Sequence, residues 1–318
     1  MPRLSSGQSS TQPKTVDEAQ ATPTRCGHVA LIGAPNAGKS TLLNRLVGRK
    51  LAIVTPKPQT TRTRLLGIAI EGPAQIIYVD TPGIFAPRRR LDRAMVAAAW
   101  SGAEDAEQTV LLVDAARGVD RDTRRILDRL GERDQGSILA LNKIDLVRRD
   151  SLLTLADTLS REGRFDLVFM ISGRTGDGVN DLKRHLAAVL PQGPWLFPED
   201  QLSDMPERVI AAEVTREQVF LQLREELPYG SAVETEQWQD KRDGSARIEQ
   251  VIFVQRPSQR AIILGEGGQR IRAIGARARA QLEHLLDRRV HLFLFVKVRE
   301  NWIEDRERYA ALGLDYDV

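Results

Sequence analysis

One stretch limits what this chain can become more than any other. GAPNAGKST, residues 33–41, follows directly on the apolar run HVALIG at 28–33. The spacing G-x-x-x-x-G-K-[ST] is that of a phosphate-cradling loop, and each position has a physical reason. Gly33 and Gly38 let main-chain N–H groups approach a phosphate with no Cβ in the way, and Ala34, Pro35, Asn36 and Ala37 carry the loop between them. The helix expected to start there aims its unpaired N–H groups and its dipole at the anion. Lys39 is placed to reach the β- and γ-phosphates, Ser40 to coordinate Mg²⁺, and Thr41 completes the motif. Such a loop needs a strand before it and a helix after it, and the flanking sequence provides both.

The pattern continues downstream. Short apolar runs of strand length recur at 65–72, 75–80, 109–114, 137–142 and 167–172, each expected to be followed by a helix-like stretch. Runs that are apolar on both faces and alternate with helices predict an α/β domain with a mostly parallel, doubly wound sheet. The 318 residues leave room for a second domain. No apolar run reaches the roughly 18 residues of a membrane span, and the N-terminus lacks a signal-peptide core. The single cysteine, Cys26, cannot form an intramolecular disulfide, so a cytoplasmic protein is expected. The expected organisation is a disordered, Ser/Thr/Gln/Pro-rich tail at 1–26, a nucleotide-binding domain at 27–190 and a proline-rich linker at 191–206. A smaller α+β domain at 207–310 and a tail at 311–318 complete it.

Two more motifs end strands at the same edge of the expected sheet, where ligands of doubly wound sheets bind. DTPG supplies Asp80, a carboxylate for Mg²⁺, then Thr81 and Pro82, and Gly83, whose N–H can meet a γ-phosphate. NKID supplies Asn142, Lys143 and Asp145. Two parallel acceptors on Asp145 match the N1–H and 2-amino group of guanine. Adenine lacks both donors and would leave the carboxylate unpaired, which costs far more than a neutral mismatch. Asn142 is expected to brace the neighbouring loops and Lys143 to lie over the base. Ser172, Gly173 and Arg174 end the sixth run, where a main-chain N–H can meet the guanine carbonyl. Between the first loop and the second strand lies the polar VTPKPQTTRTR (54–64), a γ-phosphate-sensing loop in which Thr61, with Thr60 as runner-up, is the expected Mg²⁺ ligand. The metal set is thus Ser40, Thr61 and Asp80, and the residues acting on the γ-phosphate are Lys39, Thr61 and Gly83. Where some GTPases place a water-orienting Gln after DxxG, Ile84 stands, so slow intrinsic hydrolysis is expected. Arg88, Arg89 and Arg90 are read as a solvated face rather than catalytic groups.

Over residues 28 to about 190 these motifs resemble the translation-factor class of GTPases, implying GTP/GDP and Mg²⁺ as ligands. Gly173 departs from the Ala usual in that class. Some relatives with an Asn at the position of Asn36 bind K⁺, so K⁺ is a further candidate.

The chain as a whole carries a formal charge of only +3, but residues 256–299 hold nine Arg and one Lys against Glu266, Glu283 and Asp287. A basic concentration of this kind points to a polyanion. Within it, Gly265 and Gly268 bound a G-x-x-G turn between helical stretches, the second carrying Arg270, Arg272, Arg277 and Arg279, with Ile262, Ile263, Ile271 and Ile274 expected to line an apolar groove for bases. This is the KH mode of single-stranded RNA binding, and the element order fits its type II arrangement. With 206–229 and 296–316 added, the chain resembles the Era family of bacterial ribosome-assembly GTPases. Membership implies binding near the 3′ end of small-subunit ribosomal RNA, a role in maturing the 30S particle and peripheral association with the inner membrane; a monomer is the working expectation, which the resemblance does not supply. Two other readings compete: a membrane-surface GTPase, and a constitutive RNA-binding module with a structural nucleotide site. The family commonly carries a basic residue inside G-x-x-G, whereas this turn holds Glu266.

Overall fold

The computed structural model describes residues 23–58, 60–62, 64–133, 136–224, 227–300 and 306–318. Residues 1–22, most of the expected tail, lie outside them. Six strands form the first sheet: β1 (Arg25–Gly33), β2 (Leu65–Glu71), β3 (Ala74–Asp80), β4 (Gln108–Asp114), β5 (Ser137–Asn142) and β6 (Phe165–Met170). Their order is β2-β3-β1-β4-β5-β6, parallel throughout except for β2, which is a hairpin partner of β3. Strand alternation divides the core between the two faces. Val29 and Leu31 pack with Leu42, Leu43, Leu182 and Leu186 of helices α1 (Lys39–Val47) and α5 (Val179–Val189). Ala30 and Ile32 face α2 (Arg90–Glu104), α3 (Arg121–Gly131) and α4 (Arg149–Glu162) through Trp100, Ile126 and Leu159. β1 lies between β3 and β4, so the loop leaving it opens at the point where the strand order reverses.

The second unit is a three-stranded sheet, β7 (Ala232–Asp240), β8 (Ala246–Val254) and β9 (Val290–Val298), antiparallel between β7 and β8 and parallel between β8 and β9. Three helices, α6 (Glu207–Gln222), α7 (Pro257–Leu264) and α8 (Gln269–Leu286), cover one face. Ala212, Val219, Ile263 and Ile274 join Ile252 and Val254 in its core. The six strands of the first sheet fall within three residues of the apolar runs read from the sequence, but β2 runs straight into β3 through a turn with no helix between them.

Two segments differ from their sequence expectation. The proline-rich stretch 191–206 is not a free linker but is laid along the first sheet. The Gln75 amide, fully buried in β3, accepts from the main-chain N–H of Leu196 and Phe197 (2.9 and 3.0 Å) and donates to the Phe197 carbonyl at 2.7 Å. The Ile68 N–H donates to the Leu202 carbonyl at 2.8 Å. Nor is the C-terminal end a tail: Tyr309 in helix α9 (Arg306–Ala311) and the following Leu314 bury themselves against Ala94 and Met95 of α2. Among the described residues no helix is long and apolar enough to cross a membrane.

Candidate functional site

The three motifs meet around a cavity of about 450 Å³ lined by Asn36, Lys39, Ser40, Thr61, Gly83 and Lys143, among others. Gly38 begins α1 with φ +100, and a Cβ on it would stand 2.3 Å from the Asn142 Nδ2, so no larger residue fits there. Asn142 holds the loops together as expected. Its Nδ2 donates to the Ala37 carbonyl at 2.8 Å, while its Oδ1 accepts from the N–H groups of Lys143 and Gly173 at 2.9 Å each. Gly173 keeps its main-chain donor, but here that donor serves Asn142. Gly83 reaches the phosphate loop, where a Cβ would stand 3.0 Å from the Pro35 Cα, and Thr81 Oγ1 donates to the Leu31 carbonyl at 2.9 Å.

The buried Lys39 donates to the carbonyls of Gly33 and Ala34 at 3.0 and 3.1 Å, so the loop itself occupies the ammonium that would grip a phosphate. Burial pushes its pKa down to about 8, with the charge of Asp80 opposing the shift. Burial pushes Asp80 up to about 6, against the pull of Lys39 and the hydroxyls of Ser40 and Thr61.

Those hydroxyls converge. Ser40 Oγ donates to Asp80 Oδ2 at 2.8 Å and lies 3.0 Å from Thr61 Oγ1, and the buried Asp80 Oδ1 has no hydrogen-bond partner among the described residues. An all-oxygen set with one orphaned carboxylate oxygen fits a hard divalent cation such as Mg²⁺ completed by phosphate and water. Thr60 is turned away from this group: its Oγ1 donates to the Lys57 carbonyl at 2.8 Å and lies 2.7 Å from Thr55 Oγ1. Asn36 ties the phosphate loop to the same segment through Nδ2 and the Pro56 carbonyl, 2.9 Å apart.

At the base end, Asp145 accepts from Ser172 Oγ and the Arg174 guanidinium, each at 2.6 Å. The Ser172 hydroxyl, with Arg174 beside it, holds the carboxyl below its usual range, so it is ionised and a two-point acceptor. Lys143 instead donates to Asp114 Oδ2 at 2.6 Å. The sequence reading passed over Asp114; its signal was an acid closing β4 at the edge where Asp80 closes β3. It also passed over Arg62, which is buried though it belongs to a polar loop.

In the second unit, the turn between α7 and α8 takes positive φ at Gly265, Gly267 and Gly268, and a Cβ on Gly265 would stand 2.8 Å from Arg270 Cβ. Arg270 donates to the Ile262 carbonyl (2.8 Å) and Arg272 to the Gly267 carbonyl (2.9 Å), bracing the turn while their side chains stay on the surface with Arg277. Ile263 corrects the sequence reading. It is fully buried in the domain core, as is Ile274, and cannot line a groove; Ile262, one helical step away, is 48 % exposed. Ile271 packs partly buried against that core.

Comparison with known proteins matches residues 28–143 to the family described as 50S ribosome-binding GTPase and residues 226–303 to the KH domain. GTPase Era of Rhizobium meliloti is 57 % identical over 298 residues, spanning 94 % of this chain and 95 % of that protein. GTPase Era of Afipia carboxidovorans is 56 % identical over 304 residues, spanning 96 % and 99 %. Two solved structures superpose with a TM-score of 0.86 at 36 % identity, over 91 % of this chain and 99 % of theirs: a point variant of Aquifex aeolicus Era bound to GDP and AlF4⁻, and Era in complex with MgGDPNP and nucleotides 1506–1542 of 16S ribosomal RNA.

Proposed function

The chain belongs to the Era family of GTPases, and from that membership we propose that it hydrolyses GTP to GDP and phosphate as a switch in 30S assembly, holding the 3′ region of 16S ribosomal RNA on its KH domain. The observation that carries this reading is the convergence of the phosphate loop, DTPG and NKID on one cavity, in a chain that superposes over 91 % of its length on the Era of an Era–RNA complex. Residues 27–190 serve GTP and 207–310 serve RNA.

The residues divide the work as follows. Lys39 exchanges the Gly33 and Ala34 carbonyls for phosphate oxygens. Ser40, Thr61 and Asp80 would hold Mg²⁺, which supplies neutralisation of charge on the transferring phosphoryl group. Gly83 offers its N–H to the γ-phosphate. Asp145 reads the purine. Ile84 is buried and its N–H donates to the Gly33 carbonyl at 3.1 Å, so nothing on that side chain orients the attacking water. Intrinsic turnover is therefore slow, and the water is oriented by main-chain groups of the loops that line the cavity or by a bound partner. The exposed Arg270, Arg272 and Arg277 meet the RNA backbone beside the glycine turn.

The cytoplasm, with peripheral contact at the inner membrane, is the finer proposal for location. K⁺ beside Asn36 is a separate one, which equal turnover in Na⁺ and K⁺ at matched ionic strength removes. The test of the main reading is phosphate release from GTP and ATP, with and without an oligonucleotide of the 16S 3′ end. GTP-selective turnover that the oligonucleotide raises supports it. Turnover indifferent to RNA, with RNA binding indifferent to nucleotide, leaves a constitutive module; RNA displaced by anionic vesicles favours the membrane-surface enzyme.

A further inference from the structure

We propose that the KH domain forms part of the GTP site: Arg62, gripped by the main chain of residues 228–231, together with Arg216 of α6, positions Thr61 at the metal and so sets the rate of GTP hydrolysis. This rests on the GTPase reading above.

The two neighbours of Thr61 are both taken by the second unit. The Arg62 guanidinium donates to the carbonyls of Ser231 (3.0 Å), Tyr229 (2.9 Å) and Pro228 (3.3 Å). On the other side, the Thr60 carbonyl accepts from Arg216 at 2.7 Å. With the chain pinned at 60 and 62, the Thr61 hydroxyl faces the opposite way, 3.0 Å from Ser40 Oγ.

The same loop is held at two earlier points. Lys57 donates to the carbonyls of Phe220 and Leu223 at the end of α6, where helix carbonyls lack partners and the dipole favours a cation. The Val54 N–H donates to Glu217 Oε1 at 2.8 Å, and Lys50 pairs with the other oxygen of that carboxylate.

The interface is packed as well as hydrogen-bonded. Arg62 and Arg216 lie over the buried Phe220 ring, 5.8 and 5.3 Å from its centre. Glu213 pairs with Arg216, and Arg62 rests on carbonyl dipoles in a dry site, beside a like charge. Drawing either side away would strand a buried guanidinium without its partners, so the loop and the second unit move together. The grip also has a path to the RNA surface: Val219, Leu223 and Leu227 share a core cluster with Ile263 and Ile274 of the helices that flank the glycine turn.

The experiment uses the full chain and measures GTP turnover at saturating nucleotide, the Mg²⁺ concentration for half-maximal turnover, and GDP affinity. Arg62→Gln is expected to lower kcat about tenfold and raise the Mg²⁺ requirement severalfold, with GDP affinity within about twofold of the parent. Arg62→Lys, which keeps charge but loses the fork, falls between. Adding Arg216→Gln to Arg62→Gln brings little further loss, since both act on one residue. If Arg62→Gln does not fold, Lys57→Met carries the test, with an expected fall of about threefold in kcat. Unchanged or raised kcat with an unchanged Mg²⁺ requirement overturns the positioning role while leaving the GTPase intact; a parent protein inert toward GTP overturns the reading beneath it.

Discussion

At the scale of single residues, specificity rests on Asp145. Each of its oxygens accepts one bond, from Ser172 or Arg174, and keeps a second lone pair for the N1–H or 2-amino group of guanine. Two charge-assisted bonds are each worth about 1.5–3 kcal/mol, less the cost of desolvating both partners. Asp145→Ala should therefore weaken GTP binding about 100-fold by calorimetry without improving ATP; equal binding of the two by the parent protein would refute the assignment. Lys39 adds a pH dependence. Its nucleotide-free pKa is pushed down to about 8, and phosphate must raise it. Above pH 8, binding then takes up a proton, so affinity falls as pH rises, whereas below about pH 7 this group contributes no slope. Calorimetry at pH 9 in buffers of different ionisation enthalpy should show uptake approaching one proton per nucleotide, and none if Lys39 is already charged when empty.

At the scale of elements, what was legible in the sequence was what is contiguous. GAPNAGKST, DTPG and NKID each carry their chemistry within a few residues, and a buried parallel strand announces itself as an unbroken apolar run. Contacts between distant segments leave no such trace. Gln75 looks like a polar residue in a strand, and only the fold shows it fastening residues 196 and 197. Arg62 looks like a loop arginine. Ile262 and Ile263 are indistinguishable as letters, and a rotation of about 100° along α7 puts one in solvent and the other in the core. In the α7–α8 turn Glu266 sits exposed, beside the glycines that would bring the RNA backbone close. Glu266→Lys should tighten binding of a 16S 3′-end oligonucleotide severalfold and steepen its salt dependence by about one counterion. Unchanged or weaker affinity by filter binding would mean that the turn does not face the backbone.

At the scale of the whole molecule, the segment that carries Thr61 and the helix that follows DTPG both touch the C-terminal half. The segment 54–62 is held by α6 and residues 228–231. Helix α2, which follows DTPG, is covered by Tyr309 and Leu314, with Arg90 stacked 4.4 Å from the centre of the Tyr316 ring. A γ-phosphate that rearranges the loops must therefore disturb contacts with the RNA-binding half, and by linkage RNA must bias the loops equally. The most direct measurement is the affinity of the full chain for a 16S 3′-end oligonucleotide with GDPNP against GDP, paired with GDPNP and GDP affinities with and without that oligonucleotide. The account predicts tighter RNA binding with GDPNP, and a shift in the GDPNP-to-GDP preference by the same factor when RNA is bound. Identical RNA affinities in the two nucleotide states would contradict it.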